Sequence, residues 1–307
     1  MIASHAASEN STIVPNSLLP ALLRIYFKAV SRLLPGVAVR HAEQLFTLPP
    51  RYAGRRTQPL DARRETIVAG GRSLAVWPAG PAAVPAVLLV HGWGGRALQM
   101  GGFVAPLLAC GFRVVWFDQP GHGESERGPV GLPDMVRAVE ALATTHGPFA
   151  AAIGHSLGAA ALGLALRRGF ALGRVVFVSP PASMSEHARN FARLLGITPR
   201  VRETMRRRLE TRYGVRFADI DRIEELERVG IPTLFVHDGG DPEVPFAHTL
   251  RLSARMPRAR LVKTWGLGHH RILRDRDVIG AAVAFVSGRD DALPAELPPL
   301  PMPAPLY

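Results

Sequence analysis

One stretch restricts the fold more than any other: residues 149–160, where a short apolar run passes through a Gly-x-Ser-x-Gly motif into alanines and leucines. This order predicts a strand, a sharp turn carrying Ser156, and a helix. Gly154 and Gly158 lack the Cβ atoms that would clash where the strand and the helix approach closely. The following helix directs free N–H groups and the positive end of its dipole towards Ser156. The pattern indicates a nucleophilic serine; a glycine-rich turn with an inert serine is the alternative.

Composition excludes several classes of protein. At 307 residues and 47% hydrophobic content, the chain can form one large domain with modest additions, and global disorder is excluded. The single cysteine, Cys110, excludes an internal disulfide framework and a cysteine-based zinc cluster, and its apolar neighbours predict a buried position. We expect a reducing, cytoplasmic location. The net charge of +12 comes almost entirely from arginine and accompanies no nucleic-acid motif, so no nucleic-acid partner is expected.

Residues 1–64 are interpreted as an N-terminal helical extension and a linker. Residues 17–34 have a wide apolar stripe with Arg24, Lys28 and Arg32 opposite it, which predicts an amphipathic helix. This helix either packs against the main domain or lies on a membrane surface, and packing is favoured because wide stripes usually face a core. A second short helix is predicted over Val37–Phe46.

From Glu65 onwards, apolar strands alternate with single helices, which predicts a mostly parallel sheet with helices on both faces. The predicted strands are Glu65–Ala69, Arg72–Trp77, Val84–Val90, Phe112–Phe117, Phe149–Ile153, Arg174–Val178, Pro232–Val236 and Arg260–Thr264. The predicted helices of this domain, outside the interval described next, are Ala97–Ala109, Pro133–Thr145, the segment after Ser156, Phe246–Ala254 and Asp275–Val286.

One interval interrupts the alternation, at about residues 181–228, where two helices are predicted over Met184–Leu195 and Pro199–Tyr213. An insertion of this length after the sixth strand is typical of a helical cap. The arginines of the second helix are interpreted as a solvated face, with attraction of an acidic substrate as the alternative. The domain is expected to span residues 65–290, and residues 291–307 are expected to form a proline-rich, extended tail.

A nucleophilic serine needs a base, and the base needs an orienting acid, in the chain order Ser, Asp or Glu, His. Asp241, in the loop after the strand ending at Val236, is the favoured acid. Asp238, directly at the strand end, is interpreted as a turn residue, and Glu243 is a weaker candidate. The next strand is followed by His269 and His270, of which His269 is the favoured base because Gly268 gives its backbone freedom.

The oxyanion hole is predicted to consist of the backbone N–H groups of Leu157 and Trp93. Leu157 directly follows the nucleophile, and Trp93 lies in the glycine-rich loop after the third strand. His91, at the end of that strand, is interpreted as a structural hydrogen-bonding residue. No substrate-binding side chains are predicted.

Taken together, these motifs resemble those of α/β-hydrolase fold enzymes over roughly residues 65–290. The matching segments are His91-Gly92-Trp93-Gly94, Asp118–Ser125, Gly154–Gly158, Asp241 and Gly268-His269. The resemblance implies Ser156 as nucleophile, Asp241 as acid and His269 as base, with Asp118–Ser125 as a structural loop beside the site. It does not extend to the N-terminal helices or to the tail.

The sequence therefore predicts an α/β-hydrolase that cleaves a carboxylic ester through an acyl-enzyme, without a metal or an organic cofactor. Thioesterase, carbon–carbon bond hydrolase, cofactor-free peroxidase and acyltransferase activities of the same fold remain open. A non-catalytic binding protein that retains the fold is the alternative of another class. The expected partner is a small-molecule ester or thioester.

Overall fold

The computed structural model of the chain describes residues 18–50 and 63–297. Its strands are β1 (Glu65–Ala69), β2 (Arg72–Ala79), β3 (Ala86–Val90), β4 (Arg113–Phe117), β5 (Phe149–His155), β6 (Arg174–Val178), β7 (Thr233–Asp238) and β8 (Ala259–Thr264). Its α-helices are α1 (Leu18–Leu33), α2 (Pro35–Thr47), α3 (Val104–Ala109), α4 (Leu132–His146), α5 (Leu157–Arg167), α6 (Met184–Leu195), α7 (Pro199–Tyr213), α8 (Phe217–Ile220), α9 (Ala247–Ser253), α10 (Gly268–Arg271) and α11 (Arg276–Val286). Short 3-10 helices cover Ala97–Phe103, Ile223–Arg228 and Asp290–Ala292.

The strands form one sheet in the order β1-β2-β4-β3-β5-β6-β7-β8. β2 pairs antiparallel with β1 and β4, and all other neighbours are parallel. The prediction of a mostly parallel sheet is therefore confirmed. Helices α6, α7 and α8 lie between β6 and β7, so the helical insertion does follow the sixth strand; we call these three helices and the 3-10 turn Ile223–Arg228 the cap.

Helices cover both faces of the sheet because the central strands carry apolar side chains on both sides. Along β3, Leu88 and Val90 pack into the core that includes α4, α5 and the cap. Val87 and Leu89 point the other way, into the core that includes α3 and α11. Burial on both faces explains why these strands read as continuous apolar runs rather than alternating ones.

The parallel strands β3, β5, β6, β7 and β8 all end at the same edge of the sheet. This edge, which we call the strand-end edge, carries the loop after Val90, the turn at Ser156, the loop after Asp238 and helix α10. Ligands of open α/β sheets bind at this position. The topology therefore brings together all the segments that the sequence motifs single out.

The two N-terminal helices pack on the cap, α1 against α6 and α2 against α7. Phe27 of α1 is fully buried, and the buried Glu43 carboxylate of α2 lies 2.7 Å from the Arg208 guanidinium of α7. The predicted loose residues 1–15 and the linker region around Arg55 lie outside the described residues.

The structure differs from three local predictions. Cys110 caps the C-terminus of α3 with its side chain exposed, because only the side of this short helix that bears Val104 and Leu107 faces the core. His269 was expected in a loop but lies in the short helix α10. The region predicted as one helix from Ala97 begins as a 3-10 helix before it becomes α3.

The first residues of the predicted tail are attached to the outer edge of the sheet. The Lys263 N–H of β8 donates to the Ala295 carbonyl at 3.1 Å, and the Leu297 N–H donates to the Lys263 carbonyl at 2.9 Å. The Leu297 side chain is buried. Residues 298–307 lie outside the described residues.

Candidate active site

Ser156 lies on the turn between β5 and α5 with φ 51° and ψ −124°, a backbone conformation that non-glycine residues rarely adopt. A Cβ added at Gly154 would lie 2.8 Å from Ala159 Cα, and one at Gly158 would lie 2.4 Å from the carbonyl oxygens of Val90 and His91. Both positions therefore require glycine, and the strand–turn–helix expected around Ser156 is present.

Asp241 and His269 form a direct pair across the loops that follow β7 and β8. His269 Nδ1 lies 2.7 Å from Asp241 Oδ2, and the Asp241 side chain is fully buried. The other carboxylate oxygen, Oδ1, accepts the N–H groups of Glu243 and Val244 at 2.8 and 3.0 Å. This arrangement fixes the imidazole plane and leaves Nε2 on the side away from the carboxylate.

Asp241 is held ionised despite its burial. Burial alone would raise the pKa of this carboxyl, but hydrogen bonds from His237 and His269, together with the Val244 N–H, hold its pKa well below its usual range. His237 Nε2 lies 3.3 Å from Asp241 Oδ2, and its Nδ1 lies 2.6 Å from Thr249 Oγ1. His237 was not among the residues predicted from the sequence, although its position at a strand end beside the acid could have indicated it.

His155 joins the His269 segment to the Ser156 turn. Its Nε2–H donates to the His269 carbonyl at 2.9 Å, and the two rings lie 4.7 Å apart, centroid to centroid. Burial holds the pKa of His155 well below its usual value, so the ring is neutral and donates from one nitrogen. His155 directly precedes Ser156, so this hydrogen bond places α10 beside the turn. No role for His155 was predicted from the sequence.

The other acidic and basic candidates occupy different positions. Asp238 accepts the Gly240 N–H with one oxygen, and the Thr264 hydroxyl and Leu267 N–H with the other, so it ties the two loops together. The Glu243 carboxylate lies 2.8 Å from the half-exposed ring of His270, whose hydrogen bond lowers the pKa of Glu243, while the carboxylate raises that of His270.

The loop after β3 is held against Ser156 by two buried imidazoles. His91 donates to the Gly92 carbonyl and accepts the Gln119 N–H, while His122 accepts the Gly94 N–H at 3.0 Å. Burial lowers the pKa of His91 to about 4, and burial and the neighbouring His91 lower that of His122 to about 3. Both rings are therefore neutral hydrogen-bonding groups at neutral pH.

This loop touches the Ser156 turn directly. A Cβ added at Gly92 would lie 2.8 Å from Ser156 Cβ, so the backbone that leads into Trp93 passes beside the serine. The half-buried Trp93 ring packs edge-on against His122 at 5.2 Å. Leu157 begins α5, where the first N–H groups have no partner within the helix. The segment Asp118–Ser125 supports the loop, with Asp118 accepting the Ala97 and Glu124 N–H groups.

An apolar cavity, partly open to solvent, extends from the start of α5 beneath the cap. One face of α5 lines it, with Leu157, Ala160 and Gly163 in succession. Arg167 lies one turn further along this helix and donates to the Ile220 carbonyl at 2.7 Å. Further lining residues are contributed by the loop after β6, by β7 and by the cap; they include Pro180, Pro181, Met184, Ile223, Leu226 and Phe235.

Within residues 18–50 and 63–297, no cluster of three histidine, cysteine, aspartate or glutamate side chains has a geometry that could hold a metal ion. None of the helices in the described ranges combines the length and the hydrophobicity needed to cross a membrane.

The chain is similar to known proteins in sequence and in fold. Residues 87–282 match the sequence model of the alpha/beta hydrolase family. A hydrolase from Pseudomonas aeruginosa is 26% identical, with a TM-score of 0.56 over 74% of this chain and 99% of its own. A monoacylglycerol lipase from Paleococcus ferrophilus is 23% identical, with a TM-score of 0.56 over 71% and 99% of the two chains.

An esterase from Rhodococcus sp. ECU1013 is 19% identical, with a TM-score of 0.57 over 74% of this chain and 99% of its own. No curated protein matches the chain. At identities under 25%, the lipase and the esterase share the fold with this chain.

Proposed function

Because the chain belongs to the alpha/beta hydrolase family, we propose that it is a serine hydrolase that cleaves a carboxylic ester through an acyl-enzyme. The observation that carries this proposal is the 2.7 Å hydrogen bond between Asp241 and His269, on a segment that His155 joins to the Ser156 turn. An imidazole that donates Nδ1–H to a carboxylate keeps Nε2 available as a base.

In the proposed reaction, Ser156 Oγ attacks the ester carbonyl while His269 Nε2 removes its proton. The ionised Asp241 stabilises the imidazolium that forms, and this ion then gives the proton to the leaving alcohol. The products of this half-reaction are the free alcohol and an acyl group bound to Ser156. Water then attacks the acyl-enzyme with His269 again as base, which releases the acid and restores the serine.

The backbone N–H groups of Leu157 and Trp93 are the proposed donors to the oxyanion. The close approach of Gly92 to Ser156 supports this assignment, because it carries the next peptide of the loop towards the reacting carbonyl. The neutral ring of His122 fixes the same loop at Gly94. Donors that are already fixed in place lose no free energy to reorganisation when the oxyanion forms.

The apolar cavity supports an acyl group as the part of the substrate that this enzyme buries. It begins at Leu157, beside the proposed oxyanion donors, and its lining is largely aliphatic and aromatic. Pockets that bind apolar ligands have this character, with a few polar groups that fix orientation.

The test is the intact mass of the protein after treatment with a fluorophosphonate, with the wild type and Ser156→Ala measured side by side. We expect a single adduct on the wild type and none on the variant. Hydrolysis of p-nitrophenyl esters of increasing acyl length should then require Ser156. A wild type that takes no adduct and cleaves no activated ester would contradict the proposal and favour a non-catalytic binding protein.

A further inference from the structure

Helix α1 buries one face and exposes a second apolar face. Leu22, Ile25, Ala29 and Leu33 follow one another at spacings of three and four residues, so they form one stripe along the helix. The three large side chains of this stripe, Leu22, Ile25 and Leu33, are 62%, 66% and 77% exposed, whereas Phe27 on the packed face is fully buried. We call these four residues the apolar stripe.

The apolar stripe is unusual for the surface of this protein. Among the described residues, ten large hydrophobic side chains are exposed, and six of them lie within residues 22–48. The other four are Val68 on β1, Leu194 on α6, Leu250 on α9 and Trp265 after β8. A surface that concentrates apolar side chains in one place indicates an interaction site.

A row of cations runs parallel to the apolar stripe. Arg24, Lys28 and Arg32 are exposed and spaced four residues apart, and α1 contains no acidic residue. The stems of Arg24 and Lys28 lie against Gly196 at the end of α6, where a Cβ would approach their Cγ atoms to 3.1 and 3.0 Å. The row is therefore held beside the stripe by packing, with the charged ends available to an outside partner.

We propose that the apolar stripe and the cationic row of α1 dock this protein, in the plane of the interface, on a membrane that contains anionic lipids. Helices with an apolar face bordered by lysine and arginine bind in this way, because apolar side chains enter the headgroup region while the cations attract negative headgroups. The proposal concerns a surface separate from Ser156 and does not depend on the reaction proposed above.

The charge of α1 favours a lipid surface, rather than a second copy of this chain, as the partner that covers the apolar stripe. A symmetric dimer through the apolar stripe would bring two rows of cations to one interface, and like charges at close range repel. The net charge of +12 adds to that repulsion. Anionic headgroups would instead neutralise the row, so the charge pattern complements a membrane and opposes self-association.

The position of α1 relates membrane docking to the apolar cavity beneath the cap. Helix α1 packs on α6, and Met184 of α6 lines the apolar cavity. A protein docked through α1 would therefore have the cavity one helix away from the lipid. An apolar substrate dissolved in the membrane would reach the cap over a short path.

The test is sedimentation of the full-length protein with phosphatidylcholine vesicles, prepared with and without phosphatidylglycerol. The wild type should bind the anionic vesicles, and binding should weaken as the salt concentration rises. Leu22→Gln/Ile25→Gln/Leu33→Gln should reduce the partition coefficient on the order of tenfold or more, because the apolar contribution is lost. Arg24→Gln/Lys28→Gln/Arg32→Gln should remove the preference for phosphatidylglycerol.

The matched control is Val68→Gln/Leu250→Gln, which replaces exposed hydrophobic side chains on β1 and α9, and it should bind as the wild type does. Circular dichroism and thermal unfolding of each variant verify that it is folded. The proposal is overturned if the wild type does not bind anionic vesicles, or if the apolar-stripe variant binds equally well. A wild-type dimer in analytical ultracentrifugation that the apolar-stripe variant abolishes, without vesicle binding, would assign the stripe to self-association instead.

Discussion

The strand-end edge and the cap differ in the kind of interaction that stabilises each of them. At the strand-end edge, hydrogen bonds join buried side chains to each other and to the backbone: Asp241 with His269, His155 with the His269 carbonyl, and His122 with the Gly94 N–H. On α7 of the cap, arginines pair with glutamates near the surface, as Arg206 does with Glu203 and Glu210. The first region is a buried polar network, and the second is an exposed charged surface.

This difference indicates where the protein tolerates substitutions. A buried polar group that loses its partner costs free energy because water cannot replace that partner. An exposed ion pair contributes little, since both ions are hydrated when it breaks. The strand-end edge therefore depends on one fixed geometry, while the exposed ion pairs of α7 can be substituted with little loss of free energy. Arg206 and Arg207 pair within α7 as a solvated face would, whereas Arg208 pairs with the buried Glu43 of α2.

The largest expected effect comes from Asp241→Asn. The asparagine cannot stabilise the imidazolium or hold the same tautomer of His269, so kcat should fall on the order of 10⁴-fold while the fold is retained. Steady-state hydrolysis of a p-nitrophenyl ester measures this loss, and circular dichroism verifies folding.

Its matched control is Glu243→Gln, which changes a carboxylate that pairs with His270 rather than with His269 Nδ1. We expect kcat to change by less than about tenfold, since this surface contact contributes little. If Glu243→Gln proves as damaging as Asp241→Asn, the assignment of the acid is wrong.

A smaller effect is expected where the cap is anchored to α5. Arg167 is the exception in the cap region, because its buried guanidinium donates to the carbonyls of Ile220 and Asp219 at 2.7 and 2.8 Å. Arg167→Met should lower the free energy of unfolding by about 2 kcal/mol, since the carbonyls lose a charged donor. Arg207→Gln, on the solvated face of α7, should change it by less than about 0.5 kcal/mol. Urea unfolding measures the free energy of unfolding of both variants. Equal decreases in the two variants would contradict the difference between the buried and the exposed arginine.

A further effect is a pH dependence that belongs to the strand-end edge. The folded pKa values of His91 and His122, about 4 and about 3, lie below the usual value of 6.5. Between pH 6.5 and 4 the unfolded chain therefore binds protons that the folded protein does not, so the free energy of unfolding falls as the pH falls. The slope should be on the order of 1 kcal/mol per pH unit for each histidine.

His122→Gln should flatten that slope, as measured by urea unfolding at a series of pH values. His270→Gln provides the opposite case, because the raised pKa of His270 gives stability below its unfolded pKa that is lost as pH rises. Without His270, the free energy of unfolding should therefore fall more steeply as the pH is lowered near neutral pH. An unchanged slope in His122→Gln would mean that this imidazole is not protected from protonation in the folded state.

The fold could be predicted largely from the sequence because its central strands are buried on both faces. Continuous apolar runs such as Arg174–Val178 have few alternative structures, and the strand has the predicted bounds. Cys110 could not be placed in the same way, since a short helix with apolar neighbours still exposes one side. The amphipathic pattern of residues 17–34 favoured packing, but the element that α1 packs on could not be predicted, because the contacts of α1 and α2 with the cap join residues far apart in sequence.

The sequence predicts Ser156, Asp241 and His269 as the proposed triad because the chemistry of serine hydrolysis requires these residue types in this order after successive strands. It did not indicate His155 or His237, whose roles come from hydrogen bonds between loops. The role of His122 was equally hidden, because its partner is a backbone N–H 28 residues earlier in the chain. Motifs identify the residues whose chemical type is essential, whereas contacts identify those that support them.

The attachment of residues 295–297 to β8 affects how this protein behaves beside other copies of itself. An open sheet has two outer strands, and unpaired backbone groups on them can join the strands of another molecule. Here the Lys263 backbone of the last strand is occupied by the chain's own Ala295 and Leu297. The segment therefore opposes edge-to-edge aggregation at β8, because it occupies backbone groups that could pair with another molecule. At the other end of the sheet, β1 is the outer strand.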